Sequence, residues 1–404
     1  MRVLWFGFVA GPLLGALWAV VAVVTVAVAV AFATGEAVRP GIGMAVLAGA
    51  LAGLAAVVRG ARWLTMLVAL AITASLAVAG AGVLRFGPEV APRLEAVSVL
   101  LAAAAIAGPV ARVLEGVGFR AITRHAFEAA VIRFLTGFGY VFFTAIVVIP
   151  FYVMIMTSLK SQQALLQNPL DFTLELGRGA DLFRSYRELL TDYDFGRYLW
   201  TSFVVSVLTV LVTLAFSIPG AYAVARLRFR GRALFSRSIL LIYMVPMIVL
   251  ALPIYIGFSM AGLRNTVFGI VLIYPVTTIP VALYMLQGYF RGLPAEVEEA
   301  GLMDGLGRLA VIWKITLPLS LPALASVSLY VFMIAWNEFL LAFMLLDDPS
   351  KFTLTRGIAS LNSSEIPRQH LMAGAVIATV PIMALFLGLE RFMTRGLAAG
   401  AVKG

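Results

Sequence analysis

Long runs of apolar side chains are the feature that most limits the folds open to this sequence. A helix that crosses a bilayer needs about 20 mostly apolar residues, and about ten segments reach or approach that length. They cover residues 8–33, 41–58, 63–84, 96–113, 137–157, 199–224, 238–261, 267–287, 322–346 and 372–392. These runs predict an all-α fold, a polytopic bundle of about ten transmembrane helices.

The composition excludes a water-facing fold. Of the 404 residues, 62% are hydrophobic and 12% are charged, and the mean hydropathy is +1.01. Soluble domains are about half apolar and about a quarter charged, so lipid must be the solvent for much of this chain. The first apolar stretch is longer than the h-region of a signal peptide, about 7–15 residues, which predicts a retained span. The absence of cysteine excludes disulfides and thiolate metal sites.

We expect the chain to divide into two parts. The first four spans consist mostly of Ala, Val, Gly and Leu and offer no binding site. A more polar connector, residues 111–134, follows them and contains Arg112, Arg120, Arg124, His125 and Arg133. The prediction is therefore an N-terminal part, residues 1–134, with four extra transmembrane helices and the connector. A core of six spans, residues 135–404, completes the chain.

The basic residues in the loops predict the orientation. With the amino terminus in the cytoplasm, more of the 30 Lys and Arg fall on the cytoplasmic side than outside, and the carboxy terminus is cytoplasmic as well. Retention of Lys and Arg in cytoplasmic loops also explains the net charge of +10, so no nucleic-acid partner is expected. Two polar outer segments, residues 158–198 and 347–371, are either a docking face for an outside partner or solvated connections.

The cytoplasmic segment at residues 291–321 is the most informative stretch. Pro294 suits the first turn of a helix, and the carboxylates that follow suit the positive end of the helix dipole. Gly305 and Gly307 favour a turn. A second helix is predicted over residues 308–315, with Pro318 ending it and Pro322 opening the next span. The segment is predicted to form two short helices with a bend, either a rigid knob or an ordinary loop resting on the membrane.

The spacing of residues in this segment resembles the coupling motif of bacterial ABC importer permeases: Glu-Ala-Ala, three residues, Gly, nine residues, Ile, one residue, Leu-Pro. Here Glu299-Ala300-Gly301 matches two of the first three positions. The later positions of the motif fall on Gly305, Ile315, Leu317 and Pro318. Residues 154–160, 221–229, 336–340 and 395–404 extend the resemblance, which covers about residues 135–404 and is to the carbohydrate-type branch.

The resemblance implies a non-catalytic permease subunit of the bacterial inner membrane that carries a sugar. Its expected partners are membrane lipid, a second permease subunit, two cytoplasmic ATPase subunits and an extracytoplasmic solute-binding protein. ATP and Mg²⁺ would bind the ATPase, and no cofactor or metal is expected on this chain, which has no GxxxxGK[ST] loop. The expected ATPase-coupling residues are Glu298, Glu299, Ala300, Gly301, Asp304, Gly305, Ile315, Leu317 and Pro318. Among these, Glu299 would cap or buttress the loop and Gly305 would permit its bend.

Two alternatives stay open. One is a permease for glycerol phosphate or another small polar solute. The other is an ion-coupled secondary transporter, a class that shows interrupted helices and charged residues at the membrane midplane.

Asn337 and Glu338 are the polar residues inside an apolar span. They are candidates either for the translocation path or for interhelical hydrogen bonds that fix the packing. His125 and His370 have no metal-binding spacing and are predicted to be solvated surface residues. A basic run at residues 226–237 is predicted to be a topology signal that contacts anionic headgroups, with contact to the ATPase as the alternative. It contains Arg226, Arg228, Arg230, Arg232 and Arg237.

Overall fold

The computed structural model describes residues 6–59, 67–68, 70–74, 82–88, 90–168, 173–174, 176–362 and 366–401. Helices account for most of these residues, as the apolar runs predict. Internal contacts divide the chain into two compact units, Met1–Leu182 and Phe183–Gly404. The predicted domain boundary at residue 134 stays a prediction.

In its described residues, the first unit contains four long helices and a short hairpin. Its elements are α1 (Gly7–Thr34), β1 (Val38–Pro40), α2 (Ile42–Arg59), β2 (Leu84–Phe86), α3 (Pro92–Val113), α4 (Arg124–Ser158) and α5 (Gln162–Gln167), followed by the 3₁₀ helix Leu176–Phe183, whose last residue opens the second unit. The strands pair antiparallel, with Val38 opposite Phe86 and Pro40 opposite Leu84.

Close approach of α1 and α2 organises this unit. Gly11 and Gly15 of α1 face Gly53 and Gly49 of α2, and a Cβ atom on any of the four would overlap backbone atoms of the facing helix. Glycines four residues apart let two helix backbones approach closely, which is how helices associate in lipid without a hydrophobic driving force between them. Trp18 of α1 fixes the neighbouring helix by donating a hydrogen bond to the carbonyl of Ala105, at 2.9 Å.

The predicted count of ten spans is not confirmed. Six helices are long and apolar enough to cross a membrane by length and composition, and a bent pair, Arg308–Leu319 with Leu321–Asn337, makes a seventh among the described residues. Two shorter apolar helices, Ile42–Val58 and Met247–Met260, fall below that length. Most of the predicted span at residues 63–84 lies outside the described residues, and its last residue, Leu84, belongs to β2.

The second unit carries the remaining helices. They are α6 (Arg184–Thr191), α7 (Phe195–Arg226), α8 (Arg232–Tyr243), α9 (Met247–Met260), α10 (Val267–Ile273), α11 (Pro275–Gly292), α12 (Ala295–Met303), α13 (Arg308–Val311), α14 (Leu317–Leu319), α15 (Leu321–Asn337), α16 (Leu340–Leu345), α17 (Leu354–Ser360) and α18 (Arg368–Ala401). A π-helical turn, Ile312–Thr316, joins α13 to α14, and a 3₁₀ turn, Pro349–Lys351, precedes α17.

A face of small hydroxyl side chains explains how α7 packs in this unit. The face recurs at helical spacing and is buried throughout: Ser202, Ser206, Thr209, Thr213 and Ser217. Thr213 shares a hydrogen bond with Thr278 of α11, at 2.7 Å between the hydroxyl oxygens. Small hydroxyl residues allow close packing and hydrogen bonds between helices in lipid. This face makes α7 the central helix against which α11 and α15 pack.

The outer segment at residues 347–371 is partly built into the second unit. Phe352, Leu354 and Leu361 are buried in its core, and the backbone N–H of Leu354 donates to the Ser202 hydroxyl at 2.7 Å. A wholly solvated connection is therefore the wrong description of residues 352–361. Whether this segment also docks a partner stays a prediction.

His370 contradicts its prediction, whereas His125 is exposed as expected. His370 is buried, and its Nε2 lies 2.7 Å from the Glu188 carboxylate of α6. The partner is 182 residues earlier in the chain, so no local sequence pattern could have revealed it. A hydrogen bond from Arg184, with a smaller contribution from His370, lowers the pKa of Glu188 although burial opposes the shift.

Candidate functional site

The bent loop, residues 291–321, begins with a short helix that is closed by a left-handed glycine. Pro294 precedes α12, and Glu296 and Glu298 lie in its first turn. At the other end, Gly305 has φ +84°. Its N–H donates to the Leu302 carbonyl and the N–H of Leu306 donates to the Gly301 carbonyl, both at 3.1 Å. This pair of bonds is the Schellman arrangement, which satisfies the last carbonyls of a helix and favours glycine at the left-handed position.

Gly301 and Ile315 bring the two arms of the bent loop into contact. Gly301 is buried, and a Cβ atom built on it would lie 2.5 Å from Cδ1 of Ile315. The absence of a side chain therefore lets Ile315 pack against the backbone of α12. Val311 is also buried and lies on the same side of Gly301. The contact between the arms fixes the angle of the bend.

Pro318 does not end the second arm, contrary to the prediction. The arm runs from α13 through the π-helical turn Ile312–Thr316 into α14, and it ends at Ser320, where the chain turns by 80° into α15. The π-turn is a local irregularity within the arm. Pro318 follows it in the first turn of α14, a position where the missing N–H of proline is tolerated. Pro322 opens α15 as predicted.

A buried carboxylate ties the bent loop to the central helix α7. Glu298 is 6% exposed and accepts hydrogen bonds from the hydroxyls of Thr316, at 3.0 Å, and Tyr222, at 3.3 Å. The carboxylate also forms an ion pair with Arg226, whose Nε lies 3.4 Å from it. Arg226 also donates to the Leu293 carbonyl at 2.8 Å. One side chain thus joins α12, the π-turn and the last turns of α7.

The buttressing role assigned to Glu299 is wrong in this structure. Glu299 is exposed, and within the described residues it makes no hydrogen bond or ion pair. Glu298 makes the internal contacts instead, because adjacent residues on a helix point about 100° apart and cannot share a face. Ala300 and Asp304 are exposed beside Glu299.

Large apolar side chains are also exposed on the bent loop. Met303 is 87% exposed, Leu309 75% and Trp313 71%. The spacing of Leu309, Ile312, Trp313 and Thr316 predicts one common helix face, but the structure splits that set. Thr316 is buried and Ile312 is half-buried, whereas Leu309 and Trp313 face outward. Large exposed apolar patches are typical of surfaces that contact another protein or a membrane.

The structure brings most of the predicted coupling residues into one bent element. Glu298, Gly301, Gly305 and Ile315 take part in its internal contacts, and Leu317 and Pro318 form α14 beside it. Sequence reasoning missed their partners in α7, Tyr222 and Arg226. Both lie in residues 221–229, which carried part of the resemblance, but nothing local shows that they meet a carboxylate more than 70 residues later.

Asn337 and Glu338 stand where the fifth core helix is interrupted. Asn337 ends α15, is exposed, and donates to the Met333 carbonyl at 2.8 Å. Glu338 accepts from the N–H groups of Leu341, at 2.9 Å, and Ala342, at 3.2 Å, so its carboxylate caps α16. These contacts give Glu338 a structural task. A role for either residue in the translocation path stays a prediction.

Comparison with known proteins decides the family. The model of the family described as "Binding-protein-dependent transport system inner membrane component" matches residues 217–398. Inner membrane ABC transporter permease protein YcjP of Escherichia coli K12 is 37% identical over 272 residues, which cover 66% of this chain and 95% of that protein. This chain belongs to that family of inner membrane components. Together with the trehalose/maltose permease described next, these matches confirm the expected resemblance to carbohydrate-type ABC importer permeases.

Other similar proteins agree with this membership. The trehalose/maltose transport system permease protein MalG of Thermococcus litoralis is 34% identical over 284 residues, covering 69% of this chain and 99% of that protein. The crystal structure of a bacterial ABC transporter involved in the import of the acidic polysaccharide alginate contains a chain with a TM-score of 0.56 and 25% identity. The match covers 67% of this permease and 98% of that chain. About a third of the permease therefore has no counterpart in these relatives.

Membership of the family resolves the choice between transporter classes. The chain is the permease component of an ABC importer and is not catalytic, since the ATPase of such transporters is a separate subunit. The interrupted helix at Glu338 matches one expectation for ion-coupled secondary transporters, but the family assignment overrides that single feature.

Proposed function

We propose that this permease forms part of the translocation path for a sugar and couples its movement to ATP hydrolysis through the bent loop. The observation that carries the proposal is the tie from Glu298 to Tyr222, Arg226 and Thr316. A loop joined to a long transmembrane helix by buried polar contacts moves with that helix as one body. A force applied at the loop surface would therefore reach α7.

The exposed side of the bent loop is the proposed contact with a cytoplasmic ATPase subunit. Glu299, Met303, Leu309 and Trp313 point away from the permease core. They combine a charge with large apolar side chains, the mixture that protein interfaces use. Closure of two ATPase subunits on ATP and Mg²⁺ would push this surface and tilt the helix behind it. The permease itself would hold neither ligand.

A sugar is the proposed cargo because of the relatives' substrates. The Thermococcus litoralis relative is a trehalose/maltose permease, and a Mycobacterium tuberculosis relative with 35% identity over 225 residues is a trehalose permease. We therefore propose a di- or oligosaccharide delivered by an extracytoplasmic solute-binding protein. A second permease subunit completes the path, and both termini of this chain lie in the cytoplasm.

Site-directed cross-linking tests the coupling contact. The chain contains no cysteine, so Trp313→Cys and Leu309→Cys each introduce a single thiol without background. In the complex with its partners, each is expected to cross-link to the ATPase subunit, and ATP is expected to change the yield. Ser350→Cys is the matched control at the opposite end of the unit and is expected to give no such product.

Two results would contradict the proposal. Failure of both loop cysteines to reach the ATPase in a complex that still hydrolyses ATP would remove the contact. An ATPase cross-link from the Ser350→Cys control would mean that the orientation of the chain is reversed.

A further inference from the structure

A basic pocket lies at one end of the second unit, beside the bent loop. It is an open cleft of about 760 Å³, lined by three arginines, Arg232, Arg237 and Arg291, together with Phe229, Leu234 and Ser236. We call it the arginine pocket. It forms where the first turns of α8 meet the last turn of α11. The pocket combines concentrated positive charge with apolar walls.

The protein itself does not neutralise this charge. Within the described residues, no carboxylate forms an ion pair with any of the three arginines, whereas Arg226 of the same basic run is paired with Glu298. The amino terminus of α8, a helix of 12 residues, adds partial positive charge at the same place. Three guanidinium groups beside a helix amino terminus form a site for an anion, and arginine is well suited to phosphate because it binds with two parallel hydrogen bonds.

Contacts with neutral groups hold two of the arginines in place. Arg232 donates to the carbonyls of Val224, at 2.7 Å, and Ala225, at 3.1 Å, at the end of α7. Arg291 lies beside the side-chain amide of Gln287, whose oxygen accepts from the guanidinium at 3.1 and 3.3 Å when it is turned toward it. These acceptors orient the guanidinium groups but leave their charge uncompensated. The site is therefore preorganised for an anion.

The surroundings of the pocket distinguish a lipid from a soluble anion. Leu234, Arg237, Leu241 and Met244 follow one another at helical spacing, so they share one side of the chain. Leu234 and Met244 are both 75% exposed, and Leu241 is exposed as well. An arginine inside an exposed apolar stripe is typical of a helix that passes from the headgroup layer into the acyl chains. A free phosphate would leave this stripe uncovered, whereas a phospholipid covers it with its acyl chains.

We propose that the arginine pocket binds the headgroup phosphate of an anionic phospholipid of the cytoplasmic leaflet, with the acyl chains along Leu234, Leu241 and Met244. Basic pockets between transmembrane helices on the cytoplasmic side bind such headgroups. The proposal goes beyond the coupling function and shares with it only the orientation that places the bent loop in the cytoplasm. Because Arg291 opens the bent loop, the bound lipid anchors the start of that loop to the membrane.

Native mass spectrometry of the purified complex tests the proposal, with phosphatidylglycerol added as the probe. The double variant Arg237→Gln/Arg291→Gln removes two pocket charges. Since each arginine near an anionic surface contributes about 1 kcal/mol, binding is expected to weaken roughly 30-fold. The matched control, Arg228→Gln/Arg230→Gln, removes two exposed charges from the neighbouring connection, residues 227–231, outside the pocket. Because these two side chains lie outside the pocket and solvent screens their charge, the control is expected to retain the lipid within about threefold.

Competition separates the possible ligands. Added phosphatidylcholine and millimolar inorganic phosphate are expected to leave the bound phosphatidylglycerol in place. Equal lipid retention by the two double variants would overturn the proposal, and so would displacement of the lipid by inorganic phosphate. Retained lipid with loss of the ATPase subunit from the Arg237→Gln/Arg291→Gln complex would also overturn it, because the pocket would then be a subunit contact.

Discussion

Replacing Glu298 by glutamine is the sharpest test of the tie between the bent loop and α7. Glu298→Gln keeps the shape of the side chain but removes the charge opposite Arg226. Charged hydrogen bonds contribute about 1.5–3 kcal/mol, and removing one partner of a buried ion pair costs about 3–5 kcal/mol. Arg226 keeps its bond to the Leu293 carbonyl, and its side chain is 14% exposed. We therefore expect a loss near the lower figures, about 2 kcal/mol.

Hydrogen exchange in the bent loop measures this loss directly. A local opening that becomes easier by about 2 kcal/mol exchanges roughly 30-fold faster. The acceleration is expected in the amides of residues 295–306, with the centre of α7 unchanged. Glu299→Gln is the matched control, because it removes the same charge from the adjacent residue, whose side chain is exposed. Its exchange is expected to change less than about threefold.

A double-mutant cycle shows whether the effect comes from the ion pair. Arg226→Gln alone should destabilise the loop. The double variant, Arg226→Gln/Glu298→Gln, should lose about 1–2 kcal/mol less stability than the sum of the losses in the two single variants. Strict additivity of the two substitutions would refute the reasoning. So would equal acceleration by Glu299→Gln and Glu298→Gln, since the structure gives only Glu298 internal partners.

Three further predictions concern other parts of the chain. Gly305→Ala places a side chain at φ +84°, which should destabilise the bent loop by about 1–2 kcal/mol and raise its hydrogen exchange about tenfold. Gly307→Ala, where a side chain meets open space and φ is not positive, should leave the exchange unchanged. Gly49→Leu should lower the thermal midpoint of the detergent-solubilised chain by separating α1 from α2, whereas Gly43→Leu, with nothing nearby, should leave it unchanged. The lowered pKa of Glu188 means that its stabilising contribution is complete above the ordinary carboxyl value of about 4.3 and is lost as the pH falls through the lower folded value. Hydrogen exchange of α6 in the wild type should therefore be slower than in Glu188→Gln above that window, and the difference should vanish below the lower folded pKa.

The bend of the loop was predictable from the sequence because its causes are local. A proline before the first arm, carboxylates in its first turn and Gly305 at its end each act within a few residues. The fold class was predictable for a similar reason, since the length and composition of an apolar run determine whether it can cross a bilayer.

What the sequence could not show depends on contacts between distant segments. The choice between Glu298 and Glu299 as the buttress depends on which one faces Tyr222 and Arg226, and that requires the packing of α12 against α7. The burial of His370 depends in the same way on Glu188. The continuation of the second arm past Pro318 depends on a π-turn, which leaves no clear signature in composition.

Sugar-stimulated ATP hydrolysis by the complete transporter, reconstituted in lipid with its solute-binding protein, tests the central claim most directly. The wild-type complex is expected to hydrolyse ATP faster with at least one di- or oligosaccharide from a panel. With Glu298→Gln, that stimulation should fall while basal hydrolysis and assembly persist. A complex whose hydrolysis responds to no sugar would contradict the proposed cargo. A Glu298→Gln complex that responds as fully as the wild type would contradict coupling through the bent loop.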